Sequence, residues 1–388
     1  MATATAAPAA AGKAADKKAA APVLRPFFPG TLDLETHTYV QTATITTSQV
    51  PLETFNVKTN GFLADLHIDV QTNATPNVSA NVAFNEDYPL KAIANFVLSD
   101  TGGQPILGPM DGWELATFVK WGGFSFSDDV RNSQTYTATT GSTTAGGAFA
   151  FILHVPIQFV RREPLGPLPN TNSNNAYAVD ITLATSAEIY SVAPANAVSA
   201  TVKIYQDAYR QSSGFDAQKN ATVTTPPGLG AVLYLRRNTM PLTSGTVDQE
   251  LSQQEGSYRA LHLVLRDSAN SRTQGDADWP DPATVYFNND VPYDRTKRYW
   301  IRRQERDFGY VAAAGAVNGR DLGVYTLPFM TDNGLKAGSE DRYKYLSVSA
   351  ADTLGFRGTI GGTGVHKLTT MYDFVRPPGG NIRALTAR

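Results

Sequence analysis

A series of short matches recurs in the same order in the two halves of the chain, and that shared order constrains the fold more than any single motif. Leu66-His67-Ile68 returns as Leu261-His262-Leu263, Trp113 as Trp300, Val155-Pro156-Ile157 as Leu327-Pro328-Phe329, and Ile204-Tyr205-Gln206-Asp207 as Met371-Tyr372-Asp373. The separation between matched residues shrinks steadily, so the second copy has the shorter loops. Around these matches apolar residues recur with period 2. Leu66, Ile68 and Val70 alternate with His67, Asp69 and Gln71, and Val179, Ile181 and Leu183 with Asp180, Thr182 and Ala184. Period 2 marks strands that bury one face. A repeated set of such strands predicts an all-β chain built as a tandem pair of β-sandwiches.

A length of 388 residues suffices for two or three domains with real cores. The absence of cysteine excludes disulfides, thiolate metal sites and a cysteine nucleophile. Stability must then come from packing and association. A net charge of −2 gives no global attraction to nucleic acid or an anionic membrane. Met1 to Pro22, dominated by Ala with a few Lys, Thr and Pro, lacks the apolar core of a secretory signal. No apolar run approaches the roughly 20 residues of a membrane-spanning helix. The longest candidate, Ala148 to Val160, is interrupted by His154, Pro156 and Gln158.

Residues 1–30 read as an arm that orders against a partner: Lys13, Lys17 and Lys18 lie close together, followed by Val23-Leu24-Arg25-Pro26-Phe27-Phe28-Pro29. Too few large apolar residues are present to hold it on a core as a helix. The run Phe149 to Phe159, apolar on both faces, is expected in a central position, with Pro156 at a bulge or strand end. Asp111-Gly112-Trp113-Glu114 is a D-x-x-E capping box, with Leu115, Phe118 and Val119 forming an apolar helix face and Gly122-Gly123 closing it. Asp294 to Phe308 is its counterpart, with Asp294 as N-cap. Gly358 to Gly364 reads as a loop between strands. The stretch Ser212 to Gly230, with Pro226-Pro227-Gly228, is the domain boundary. The units are thus 31–211 and 231–378, with 212–230 as linker and 379–388 as a basic tail.

No catalytic, metal or cofactor constellation emerges. His37, His67, His154, His262 and His366 fall in no metal-binding spacing and read as solvent-facing or hydrogen-bonded strand residues. The Gly-rich run lacks the Lys-Ser/Thr that ends a P-loop. Asp128-Asp129, Asp276/Asp278 and Glu340-Asp341 sit in polar stretches where solvated charge or an Asx turn is expected. The basic cluster Arg298, Arg302, Arg303 and Arg306, with Glu305, Asp307 and Asp294 in helical reach, reads as an ion-paired helix face at an interface.

Asn60-Gly61-Phe62-Leu63, the Asp111-Gly112-Trp113-Glu114-Leu115 helix start, His154-Val155-Pro156-Ile157 and Ile204-Tyr205-Gln206-Asp207-Ala208-Tyr209 follow in an order that resembles the double jelly-roll major capsid proteins of tectivirus-type bacteriophages, which are tailless and icosahedral with an internal membrane. The second half matches in layout and in Met371-Tyr372-Asp373-Phe374. The resemblance implies two eight-stranded jelly rolls with short helices in loops, and a homotrimer with a nearly hexagonal footprint that contacts neighbouring trimers. It also implies a shell around a membrane vesicle and double-stranded DNA, penton and minor capsid partners, and no enzymatic activity, cofactor or sequence-specific nucleic-acid binding. The protein would reside in the virion, and in the host cytoplasm before assembly. Lys13, Lys17, Lys18 and Arg25 would face the membrane or inner shell. The alternative is a carbohydrate-binding or glycoside-hydrolysing tandem sandwich, needing an aromatic platform from residues such as Trp121, Trp279 and Tyr310.

Overall fold

The computed structural model describes residues 24–27, 32–73, 81–124, 129–160, 164–251, 255–288, 290–309, 321–330 and 344–376. The first half opens with strands β1 (Asp33–Thr44), β2 (Val50–Pro51), β3 (Phe55–Asn56), β4 (Gly61–Thr72) and β5 (Ala83–Phe84). Then come β6 (Ile93–Ser99), β7 (Pro105–Met110), helix α1 (Gly112–Trp121), β8 (Thr137–Ala138) and β9 (Phe149–Pro156). It finishes with β10 (Leu168–Asn170), β11 (Ala178–Leu183), the one-turn α2 (Ser186–Ile189), β12 (Tyr190–Val192) and β13 (Ser199–Tyr209). The second half begins with β14 (Val232–Glu250), β15 (Gly256–Arg266), α3 (Gly275–Asp278), β16 (Ala283–Phe287) and β17 (Asp290–Arg295). It ends with α4 (Lys297–Phe308), β18 (Val324–Pro328), β19 (Leu346–Val348) and β20 (Leu354–Arg376).

In the first half one sheet runs β1-β13-β4-β9-β8, and the facing one runs from β2 and β3 through β11 and β6 to β7. Leu66, Ile68 and Val70 from one and Val179, Ile181 and Leu183 from the other point into the shared core, as the alternation predicts. Strand β9 ends at Pro156, where proline withdraws a ladder donor. In the second half β14 and β20 are long enough to serve both sheets. Their 232–243 and 365–376 segments pair with each other beside β15, and 245–250 pairs with 355–360 beside β16.

The bend between those segments corrects one expectation. Gly358 to Gly364 is not a loop between strands but lies inside β20. Gly362 and Gly364 take positive φ there, opposite a register shift between Thr243 and Gly245. A Cβ on Gly358 would come within 2.4 Å of Pro280 Cβ, and one on Gly362 within 2.6 Å of the Asp278 carboxylate. Glycine is used where neighbouring groups crowd a turning strand.

The two halves are equivalent rung by rung. Leu66 pairs with Val155 and Asp65 with Pro156, just as Leu261 pairs with Leu327 and Ala260 with Pro328. The neighbouring ladders share a bulge at the same place: β4 skips Ala64 between Asp65 and Leu63, and β15 skips Arg259 between Ala260 and Tyr258. That bulge makes Asp207 the counterpart of Asp373, since each faces the residue beside it. It also corrects the match of Tyr205 to Tyr372. Gln206 is the counterpart of Tyr372, both buried, while Tyr205 packs tilted against His37 at 5.1 Å on the other face. A slip of one residue exchanges the faces of a strand.

The counterpart helix needs a smaller correction. Its N-cap is Thr296, whose hydroxyl accepts from the Tyr299 N–H, and it closes at Gly309 in the left-handed region. Asp294 belongs to β17 and accepts from the Thr284 hydroxyl.

The charged seam and candidate assembly surfaces

Helix α1 lies where the two sandwiches meet. The Asp111 carboxylate accepts from the Glu114 N–H and the Glu114 carboxylate from the Asp111 N–H, both at 2.8 Å. Leu115, Phe118 and Val119 are buried as read, but Glu114, Thr117 and Lys120 are buried too. The helix is covered by β9 of its own sandwich and by β15 of the other. Phe118 meets His262 of β15 edge to face at 5.5 Å. Strand β15 is therefore buried along its whole length, on both faces.

Backbone and side chains both cross this junction. Leu235 of β14 pairs in parallel with Leu107 of β7. The Arg236 guanidinium donates to the carbonyls of Gly108 and Pro105, and that of Arg237 to the Pro109 carbonyl and, at 2.8 Å, to the Glu114 carboxylate. Burial, then the adjacent Asp111 carboxylate, push Glu114 up to about 7 against the pull of Arg237.

Beyond the helix, buried charges of the first sandwich find partners on the second. Asp87, in the left-handed region at φ 68°, accepts from Arg266 and Arg272. Burial alone raises its carboxyl; the two guanidiniums and Lys91 outweigh that and hold it well below the usual carboxylate range. Lys120 lies 2.9 Å from Asp129 and 3.3 Å from Asp321, and Arg131 bridges the same two carboxylates. Arg259, the bulged residue, pairs with Asp373 and donates to the Gly122 carbonyl. Burial raises Asp373 to about 6 despite that partner. Trp113 lies in the middle, with the guanidinium carbons of Arg272 and Arg266 at 4.7 and 5.1 Å from its ring and the Lys91 ammonium at 5.8 Å. Removing one partner of such a pair costs about 3–5 kcal/mol, because the survivor stays desolvated. The seam is thus held in one geometry.

The sequence-predicted residues fall elsewhere. Lys13, Lys17 and Lys18 lie outside the described residues. Arg25 pairs with Asp216 at 2.8 Å, and its backbone bonds Ala221 and Val223. Phe27 next to it packs edge-on against Phe62 and Tyr209. That stretch of the arm is fastened to the 212–230 segment. Arg298, Arg302, Arg303 and Arg306 share α4, whose inner side buries Trp300, Gln304, Asp307 and Phe308. Arg302 pairs with Glu305, and Arg303 and Arg306 with Asp307, at 3.0 to 3.4 Å. Asp294 is turned to Thr284 instead.

The histidines all lie on strands, and His154, His262 and His366 are buried. His262 is fully buried under α1, bonded to the Thr326 hydroxyl, and burial holds it down at about 3. His366 is buried against Asp278 at 3.0 Å, and His67 and His154 stack at 5.0 Å. Among the described residues no group of histidines and carboxylates is arranged to hold a metal. Asp129 and Asp278 are buried and partnered, not solvated, and Asp129 also accepts from the Arg131 N–H two residues on, the Asx turn expected; Asp128, Glu340 and Asp341 lie outside the described residues. Trp121 and Trp279 are also buried, so neither can offer a sugar platform, and Tyr310 lies outside the described residues. A cavity of about 70 Å³ beside Asp87 and Trp113 has room for water. It is well below the roughly 300 Å³ of a small-molecule site.

What sequence reading missed is the seam itself. Its partners are far apart in the chain, 179 positions for Asp87 and Arg266, and follow no period. A local sign does exist: Lys120 stands in the otherwise uncharged last turn of the helix.

No protein-family model and no curated protein sequence matches the chain. Solved structures do. A chain from the atomic structure of Sulfolobus Turreted Icosahedral Virus aligns with a TM-score of 0.61 at 11% identity, covering 92% of this chain and 96% of that one. The PBCV-1 virus capsid aligns with a TM-score of 0.54 at 13% identity, covering 88% and 93%. The major capsid protein of bacteriophage PM2 aligns with a TM-score of 0.51 at 12% identity, covering 90% and 100%. The likeness is one of fold, and it spans nearly the whole of each chain: two jelly rolls in tandem.

Proposed function

We propose that this chain is a viral major capsid protein whose function is to associate with itself. Three copies form a trimer with six similar jelly rolls and a nearly hexagonal outline. Trimers tile an icosahedral shell of the tailless, internal-membrane type around a vesicle and double-stranded DNA, with penton and minor capsid proteins completing it. The chain acts without catalysis or cofactor, in the virion, after synthesis and folding in the host cytoplasm. Residues 31–211 and 231–378 are the two rolls, joined by 212–230, and the arm 1–30 faces the inner side.

The observation that carries this reading is the rung-by-rung equivalence of two sandwiches locked into one body by a continuous sheet and a buried ionic seam. A threefold oligomer of such double units presents six like faces to six neighbours, which a lattice of trimers requires. A hinged pair would not hold those faces in register. Light scattering and negative-stain microscopy of the purified protein test it. A compact, nearly hexagonal trimer stable without ligand is expected, with interfaces above roughly 2,000 Å². A monomer at micromolar concentration rules the reading out.

A further inference from the structure

The strands that join the two sandwiches within the chain have counterparts that lie at the ends of their sheets. Strand β14 docks on β7 and α1 through Leu235, Arg236 and Arg237. Matching Asp207 to Asp373 makes β1 the counterpart of β14, because β1 flanks β13 as β14 flanks β20. Glu35, Thr36 and His37 then occupy the places of Leu235, Arg236 and Arg237. The counterparts of β7 and α1 are β17 and α4. Strand β17 pairs with β16 as β7 pairs with β6, and each leads into its helix, with Pro292 and Asp294 standing where Pro109 and Asp111 stand.

The docking strand and its platform are therefore each present twice, and among the described residues only one of each is used. Strand β1 ends the first sheet and β17 ends the largest one, and among the described residues neither has a partner strand on its outer side. Open edges of this kind invite pairing with another chain.

We propose that β1 of one subunit docks on β17 and the first turn of α4 in a second copy of this chain, repeating between subunits the contact that β14 makes within one. The proposal rests on the trimer reading and names the surfaces that build it. Large apolar side chains are exposed on both partners: Val40 on β1 is 54% exposed, Val291 on β17 51%, and Tyr299 on α4 52%. Charge is complementary as well, with Asp33 and Glu35 exposed on β1 and Arg298 and Arg302 exposed on α4. Since one copy supplies β1 and the other β17, the contact is heterologous, and in the proposed trimer three of them close into a ring.

The chain has no cysteine, so introduced thiols report without background. Val40→Cys and Val291→Cys, made singly, are co-expressed and treated with a short bis-maleimide after light scattering and a thermal melt. Covalent dimers are expected from the mixture and not from either variant alone. The doubly substituted chain should give a ladder ending at the closed ring. A trimer by scattering that yields no mixed dimer, or that cross-links Val40→Cys to itself, overturns the docking and leaves the trimer standing. A monomer by scattering overturns both.

Discussion

Leu235 of β14 pairs in parallel with Leu107 of β7, the rung at which the sheet of the second sandwich joins that of the first. Next to it Arg236 and Arg237 reach across to three carbonyls and a carboxylate. One backbone rung would leave a hinge, but four side-chain contacts on two adjacent residues do not. The seam therefore sets the angle between the rolls.

Replacing Asp87 with Asn should cost about 3–5 kcal/mol of stability, because buried Arg266 and Arg272 lose their nearest counter-charge and keep only Glu86 and Asp321, each 4.0 Å away. Asn tolerates the left-handed backbone at this position, so the change isolates the charge from the conformation. Urea denaturation measures the cost. A midpoint equal to that of the parent would mean that water replaces the carboxylate.

Glu114 makes stability depend on pH in a definite direction. Its folded pKa of about 7 exceeds the unfolded value near 4.5, so the native state holds more protons between those limits. Stability contributed by this group falls as pH rises from about 4.5 to 7, by up to about 3 kcal/mol. Asp373, raised to about 6, acts in the same direction, whereas Asp87 acts oppositely and only in strong acid. Urea midpoints at pH 5 and 7.5 should differ less in Glu114→Gln than in the parent. Equal slopes in the two chains would show that Glu114 titrates normally.

Much of the fold was legible because strands carry their own period. The echo of Leu66 and Val155 in Leu261 and Leu327 survives as matched rungs. The Asp111 box is legible because a helix start is written in four adjacent residues. The register of Tyr205 against Tyr372 was not legible, since identical residues one position apart outweigh a bulge that leaves no mark in sequence. Nor was the burial of His262, which depends on a helix from the other half. Gly358 to Gly364 looked like a loop because glycine signals a turning strand and a loop alike. Long-range charge pairs such as Lys120 with Asp321 need the fold before they can be seen.

Trp113→Ala should cost about 3–5 kcal/mol, as for any large buried aromatic. The loss should fall on both sandwiches, because the indole is flanked by Arg266 and Arg272 of the second as well as Lys91 of the first. One cooperative transition at lower temperature is the expected calorimetric result. An unchanged melting temperature would mean that the seam closes over the gap.

The arm separates two accounts of shell attachment. Deleting residues 1–22 should leave a folded trimer, since Phe27, packed on Phe62 and Tyr209, is the first arm residue seen to join a core. Shell assembly or vesicle attachment should weaken. If Lys13, Lys17 and Lys18 face an anionic membrane, each contributes on the order of 1 kcal/mol near its surface, and the contribution is screened by salt. Changing all three to Gln should then abolish salt-sensitive flotation with anionic liposomes while leaving the trimer intact. Flotation equal to that of the parent would assign the arm to clamping neighbouring subunits, where those charges matter little. Loss of the trimer on deletion would place the arm within the subunit interface itself.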